Sequence, residues 1–92
     1  MGKAIIVDKI DNVIVAIEPI KKGDEAVYVL NGTTHQVIAE NDIIIYHKLA
    51  SKDIRKDEPI IKYGEHIGLA SRDIKAGEHV HTHNVQDHRE AL

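Results

Sequence analysis

KYGEHIGLASRDIKAGEHVHTHN, residues 62–84, joins short apolar runs to a turn at Asp73-Ile74-Lys75-Ala76-Gly77 and ends in three histidines set two apart. In an extended strand successive side chains point to opposite faces, so His79, His81 and His83 are expected on one face, with Val80 and Thr82 on the other. Three imidazoles on one face can ligate a metal, transfer protons, hydrogen-bond a substrate, or simply pack at a surface. Spacing alone leaves these alternatives open. Two glycines, Gly64 and Gly68, imply a bulge or a close backbone approach.

Around this stretch the chain is short and poor in aromatics: 92 residues, no Phe, no Trp, three Tyr. One domain is expected, with a small core of Ile, Val and Leu, and such β-branched side chains favour pleated strands. A mostly β fold follows. The formal charge is −3, from 12 basic and 15 acidic residues in no long block. Nucleic acid is not an expected partner, because a basic patch and stacking aromatics are both missing. Without Cys there is no disulfide framework. No segment has the roughly 20 apolar residues that span a bilayer, so no membrane association and a cytoplasmic location are expected.

Upstream, residues 4–7 and 13–17 read as two strands around a polar turn, and Asn31-Gly32 between residues 25–30 and 33–39 specifies a type I′ hairpin. That loop would set Tyr28 opposite His35, which gives His35 a cross-strand packing role. Residues 43–46, Ile-Ile-Ile-Tyr, read as a short buried strand or strand-like connection from which His47 and Lys48 emerge. Those two donors form either a solvated corner or an anion-holding pair. His66 and His88 read as ordinary exposed residues, and Tyr28, Tyr46 and Tyr63 as core or interface fillers.

One turn is used repeatedly. Ala16…Ile20…Gly23-Asp24 recurs as Ala50…Ile54…Asp57-Glu58 and as Ala70…Ile74…Gly77-Glu78. Each copy offers an isoleucine for the core, then a Gly or Asp that tolerates a left-handed backbone, then an acid. The starts are 34 and 20 residues apart (50 − 16, 70 − 50), too irregular for a solenoid. A domain is therefore expected over 1–84, followed by a polar C-terminal tail over 85–92, either one frayed helical turn capped by Asn84 or a disordered end.

The pattern Lys62-Tyr63-Gly64, Ile67-Gly68, Ala70, Asp73-Ile74, Gly77, His79-Val80-His81, His83-Asn84 closely resembles the SAF-type small domain of altronate and galactarate dehydratases. The likeness extends back through Asp42-Ile43, His47-Lys48 and Ala50…Asp53-Ile54, and more weakly to residues 15–23. Relatives tend to carry Pro and Gly just before the His-Lys pair, where this chain has Ile44 and Tyr46, and Asp57 replaces the Gly of one turn. The resemblance implies a β-clip fold. It also implies a small subunit of a hydro-lyase that works beside a separate large catalytic subunit; a sister system, sulfolactate sulfo-lyase, uses a similar small subunit.

The implied reaction takes the proton α to the carboxylate of a sugar acid and expels the β-hydroxyl. A divalent metal of the holoenzyme, iron or manganese, would stabilise the resulting dianion, bound mainly by the large subunit. Candidate catalytic residues on this basis are His47, His79, His81 and His83; candidate metal ligands are His81 and His83; candidate substrate contacts are Lys48 and Asn84. A chain this small has little room for a pocket of several hundred Å³ and is expected to be inactive alone. Two other classes compete: a non-catalytic β-clip binding module and a free-standing metal-binding protein. Self-association of the chain is also open.

Overall fold

Two Ile–Ile bridges hold the chain together. In the computed structural model, which describes residues 1–89, Ile20 pairs with Ile43 and Ile54 pairs with Ile74, each through two reciprocal backbone hydrogen bonds of 2.7–2.9 Å. The bridged residues belong to four copies of the turn. One copy, second in chain order and unseen in the sequence pattern, runs from Ala39 through Ile43 to Tyr46-His47.

The copies pair by twos with the same hydrogen bonds. Gly23 N–H donates to the Ala39 carbonyl (2.8 Å) and Tyr46 N–H to that of Ala16 (2.7 Å). Likewise Asp57 N–H donates to Ala70 (2.8 Å) and Gly77 N–H to Ala50 (2.7 Å). The donors sit at one left-handed position, with φ of 91°, 70°, 72° and 91° for Gly23, Tyr46, Asp57 and Gly77. Three residues later Ala26, Leu49, Ile60 and Val80 are all fully buried. Each pair of turns organises its own apolar cluster, one around Ile20 and Ile43 and one around Ile54 and Ile74. Fully burying one such side chain is worth about 1.5–3 kcal/mol, so the tucked isoleucines are the main local reason the turns close.

Among the described residues nine strands carry these turns: β1 (Gly2–Ile5), β2 (Val13–Ala16), β3 (Glu25–Leu30), β4 (Thr33–Ile38), β5 (Lys48–Ala50), β6 (Pro59–Lys62), β7 (Glu65–Ala70), β8 (His79–Val80) and β9 (Val85–Gln86). Six form a sheet in the order β4-β3-β1-β2-β5-β8, and three form a sheet in the order β6-β7-β9. The described residues contain no helix, as the mostly β expectation requires. Strand β2 is buried along its whole length, with Val13 in one apolar cluster and Ile14 in the other.

The Asn31-Gly32 hairpin forms in the expected register, Leu30 opposite Thr33 and Tyr28 opposite His35, and the last two rings stack at 5.5 Å. A second two-residue hairpin joins β6 to β7 through Tyr63-Gly64, both with positive φ. A bulge interrupts that ladder between Ile60 and Ile61. At Gly68 a Cβ would come within 2.6 Å of Val85 Cγ1, so the close approach read from the sequence is against β9.

Three expectations change. Only Ile43 of residues 43–46 is buried, because its bridge to Ile20 takes it inward and the turn then swings Ile44, Ile45 and Tyr46 outward. Tyr46 is accordingly exposed, and so is Tyr63 in the β6–β7 hairpin turn, so of the expected core or interface roles neither fills the core. The tail does not begin at 85: Val85 pairs with Ala70 and is 5% exposed in the second apolar cluster, since burying it completes β7. Residues 90–92 of the expected tail lie outside the described residues. Among the described residues no helix is long and apolar enough to cross a membrane.

Candidate functional site

The pairing of β5 with β8 assembles the histidines. Lys48 lies opposite Val80 and Leu49 opposite His79, so one step further out the same antiparallel register sets His47 against His81. Their ring centroids are 4.6 Å apart. His79 lies diagonally across, with His47 Nδ1 2.9 Å from its Nε2. His83 stands beside His79 at 5.4 Å between centroids.

The extended strand expected for residues 79–83 stops at Val80, and residues 81–84 form a turn. Asn84 makes that turn. Its Oδ1 accepts the His81 N–H at 3.0 Å and its Nδ2 donates to the His79 carbonyl at 2.9 Å. Asn84 is fully buried, with its amide engaged on the backbone of the two histidine positions. Asn41, which the sequence reading passed over, fixes the other end: its Oδ1 accepts the His79 N–H at 3.0 Å. An Asn one residue before the conspicuous Asp42-Ile43 was the only available hint.

His47 occupies the position that the other turns give to an acid. In two of them that acid caps its own turn, Glu58 accepting from Arg55 N–H (2.7 Å) and Glu78 from Lys75 N–H (3.1 Å). An imidazole with its Nδ1 turned to His79 does not do this, so the second copy gives up a cap and gains a cluster member. Lys48 is not a solvated corner; it is 6% exposed, at the start of β5. His66 is also not fully exposed: its Nε2 is buried without a partner among the described residues.

Crowding shapes the electrostatics. Burial first, then the charges of His47, His83, His81 and Lys48, lower His79 from the usual 6.5 to about 4. His81 is lowered by lost hydration and then by His47, Lys48, His83 and His88. Both are neutral at pH 7, and a neutral imidazole is the form that binds a metal without first releasing a proton.

A metal fits this arrangement. His47, His79 and His81 each offer a nitrogen, and the three lie within 4.8 Å of one another. Adjacent ligands about 2.1 Å from an octahedral ion are about 3 Å apart, which matches the 2.9 Å between His47 and His79. His83 is outside that trio. A cavity of about 290 Å³ occurs elsewhere, lined by residues of β1 and β3 with Ile6 and Ile17 and by no imidazole.

Comparison with known proteins agrees with this architecture. The altronate/galactarate dehydratase SAF domain model matches residues 2–88. The altronate dehydratase of Bacillus subtilis (strain 168) is 38% identical over 86 residues, 94% of this chain and 16% of the relative. That of Escherichia coli (strain K12) is 44% identical over 82 residues, 89% of this chain and again 16% of the relative. The (2R)-sulfolactate sulfo-lyase subunit alpha of Chromohalobacter salexigens is 46% identical over 56 residues, 61% of this chain and 60% of the relative. This chain thus spans about a sixth of the altronate dehydratases it matches. With its histidine cluster, repeated turns and match along nearly its whole length, the chain belongs to the altronate/galactarate dehydratase SAF domain family.

Proposed function

We propose that this chain is the small subunit of an altronate dehydratase-like hydro-lyase and completes an active site on a separate large catalytic subunit. The observation that carries the reading is the imidazole cluster built where two turns meet: His47 on one, His79 and His81 beyond another. It lies at the exposed edge of a domain whose cavity is lined by other residues. Such an edge supplies functional groups without enclosing a substrate.

His47, His79 and His81 would hold a divalent ion, iron or manganese, together with ligands from the large chain. When bound, the ion would stabilise negative charge on a sugar-acid carboxylate as the α proton leaves. At a pKa of about 4, His79 is too weak a base to take that proton, which suits it to ligation or hydrogen bonding. Proton transfer then falls to His83, which lies outside the trio and is the most exposed member of the cluster. Lys48 adds positive charge beside the place where the carboxylate would lie, and Asn84 keeps the turn in shape.

A sulfo-lyase is the second reading. The matched relatives named subunit alpha include one from Paracoccus pantotrophus in which 54 residues are 81% of the relative's length, so small chains of this kind occur as named subunits. That size favours a subunit role but selects no leaving group.

The test is reconstitution. The chain and a larger dehydratase-like chain from the same genome are purified separately and assayed for keto-acid formation from D-altronate with Fe²⁺ or Mn²⁺, then for sulfite release from sulfolactate. Activity only with both chains present supports the reading. Full activity of the large chain alone overturns it.

A further inference from the structure

The same turn occurs four times, which supplies an internal comparison. Between the tucked isoleucine and the strand that follows, the first copy presents Lys21-Lys22-Gly23, the third Arg55-Lys56-Asp57 and the fourth Lys75-Ala76-Gly77. The second presents Ile44-Ile45-Tyr46, exposed at 60%, 40% and 72%. Equal backbone geometry makes equal demands on the side chains, so the turn itself does not call for this difference.

Two facts sharpen the contrast. Tyr46 has φ 70°, where a bulky residue is strained and glycine is not. The copy therefore keeps an aromatic ring at a position where losing it would ease the backbone. Moreover, the next residue is His47, whose nitrogen meets His79 at 2.9 Å. Three consecutive exposed apolar side chains thus stand at the rim of the imidazole cluster and nowhere else among the four turns.

We infer that the Ile44-Ile45-Tyr46 tip is the anchor by which this domain docks on the large catalytic chain. The inference rests on the proposed subunit function and names the contact it requires. The altronate dehydratases supply the measure of the missing surface: the region this chain matches is 16% of their length, and the remainder is the body against which the domain would sit. The occupant is thus an apolar recess of that larger body, beside the part of the site that meets His47. A Tyr with two flanking Ile side chains has the composition of an interface centre, where aromatic anchors carry much of the binding energy.

The experiment measures association of the purified chain with the larger dehydratase-like chain of the same genome, by sedimentation and by titrating keto-acid formation. The variants are Tyr46→Gly, Ile44→Ser, and Lys22→Ser as the matched control in the first turn. Tyr46→Gly suits φ 70°, so its thermal midpoint should equal or exceed that of the unaltered chain. The expected result is a Kd at least tenfold weaker for Tyr46→Gly and Ile44→Ser, with the rate recovered at saturating concentration, and no change for Lys22→Ser. Unchanged Kd in both tip variants, while the unaltered chain binds and activates, overturns the inference and leaves the proposed function standing. Failure of the unaltered chain to bind or activate overturns both. Self-association of the unaltered chain that the tip variants abolish also overturns the inference, in favour of a contact between copies.

Discussion

His47 Nδ1 lies 2.9 Å from His79 Nε2, although 32 residues separate them in the chain. Such a contact needs one nitrogen carrying a proton and one without, so the two imidazoles cannot both be charged while it lasts. Burial of His79 favours the neutral form further.

A pH dependence of stability follows. His79 titrates at about 4 in the folded chain against 6.5 for an unperturbed imidazole. Between those values the unfolded chain holds the extra proton, so stability rises with pH across that window. The contribution is complete above about 6.5, falls as pH drops toward 4, and is flat below. Urea melts at several pH values from 3.5 to 7.5 should show this slope, and His79→Gln should flatten it. An NMR titration placing the His79 midpoint above 6 would contradict the prediction.

Metal uptake separates the trio seen in space from the pair read in the sequence. Calorimetric titration of the isolated chain with Mn²⁺ should lose most of its affinity in His47→Ala, His79→Ala and His81→Ala alike. His83→Ala should retain affinity within about threefold, since His83 lies outside the trio. Equal loss in His83→Ala and none in His47→Ala would restore the His81–His83 pair.

Asn84 should act through shape. Asn84→Ala leaves the His81 N–H and the His79 carbonyl without their side-chain partner in a fully buried place, at about 2–3 kcal/mol. Denaturant unfolding reads that cost. Asn84→Asp keeps the acceptor but sets a buried carboxylate oxygen against the His79 carbonyl, so it should cost at least as much as Ala; a loss below about 0.5 kcal/mol in Asn84→Ala would argue against this role.

The left-handed turn positions should respond in opposite directions. Gly77 has φ 91°, and a Cβ there would collide with the Ile38 carbonyl oxygen, so Gly77→Ala should cost more than about 1 kcal/mol. Asp57 has φ 72°, where glycine is unstrained, so Asp57→Gly should change stability by no more than about 1 kcal/mol and in the favourable direction. Thermal midpoints of both variants decide the matter. A stabilised Gly77→Ala would show that the turn relaxes.

Between Ile54 and Ile74 the bridge should matter as much as any strand. Ile54→Ala is expected to cost about 2–5 kcal/mol, because the side chain is fully buried between paired turns. A loss below 1 kcal/mol, read by urea unfolding, would mean that the second apolar cluster repacks freely.

The local chemistry of the chain was legible without coordinates. Asn31-Gly32 dictated a hairpin and its register because only a few residue pairs accept two positive φ values. Three of the four turns showed themselves through a spaced Ile, a Gly or Asp, and an acid. The second in chain order was hidden because Ile44, Ile45 and Tyr46 imitate a buried strand, and nothing in a run of apolar residues tells which of them faces the core. The histidine pattern marked three members of the cluster but not which imidazoles lie closest together. His47 reaches His79 and His81 only through the β5–β8 register, a contact between distant parts of the chain that depends on where the isoleucine bridges place each turn. The sequence by itself determined most of the strands, most of the turns and the family, because these depend on neighbours along the chain. Tertiary structure alone decided which imidazoles meet, that Asn84 is buried beneath them, and that Val85 belongs to the core, because burial and pairing are settled by packing between residues far apart in sequence.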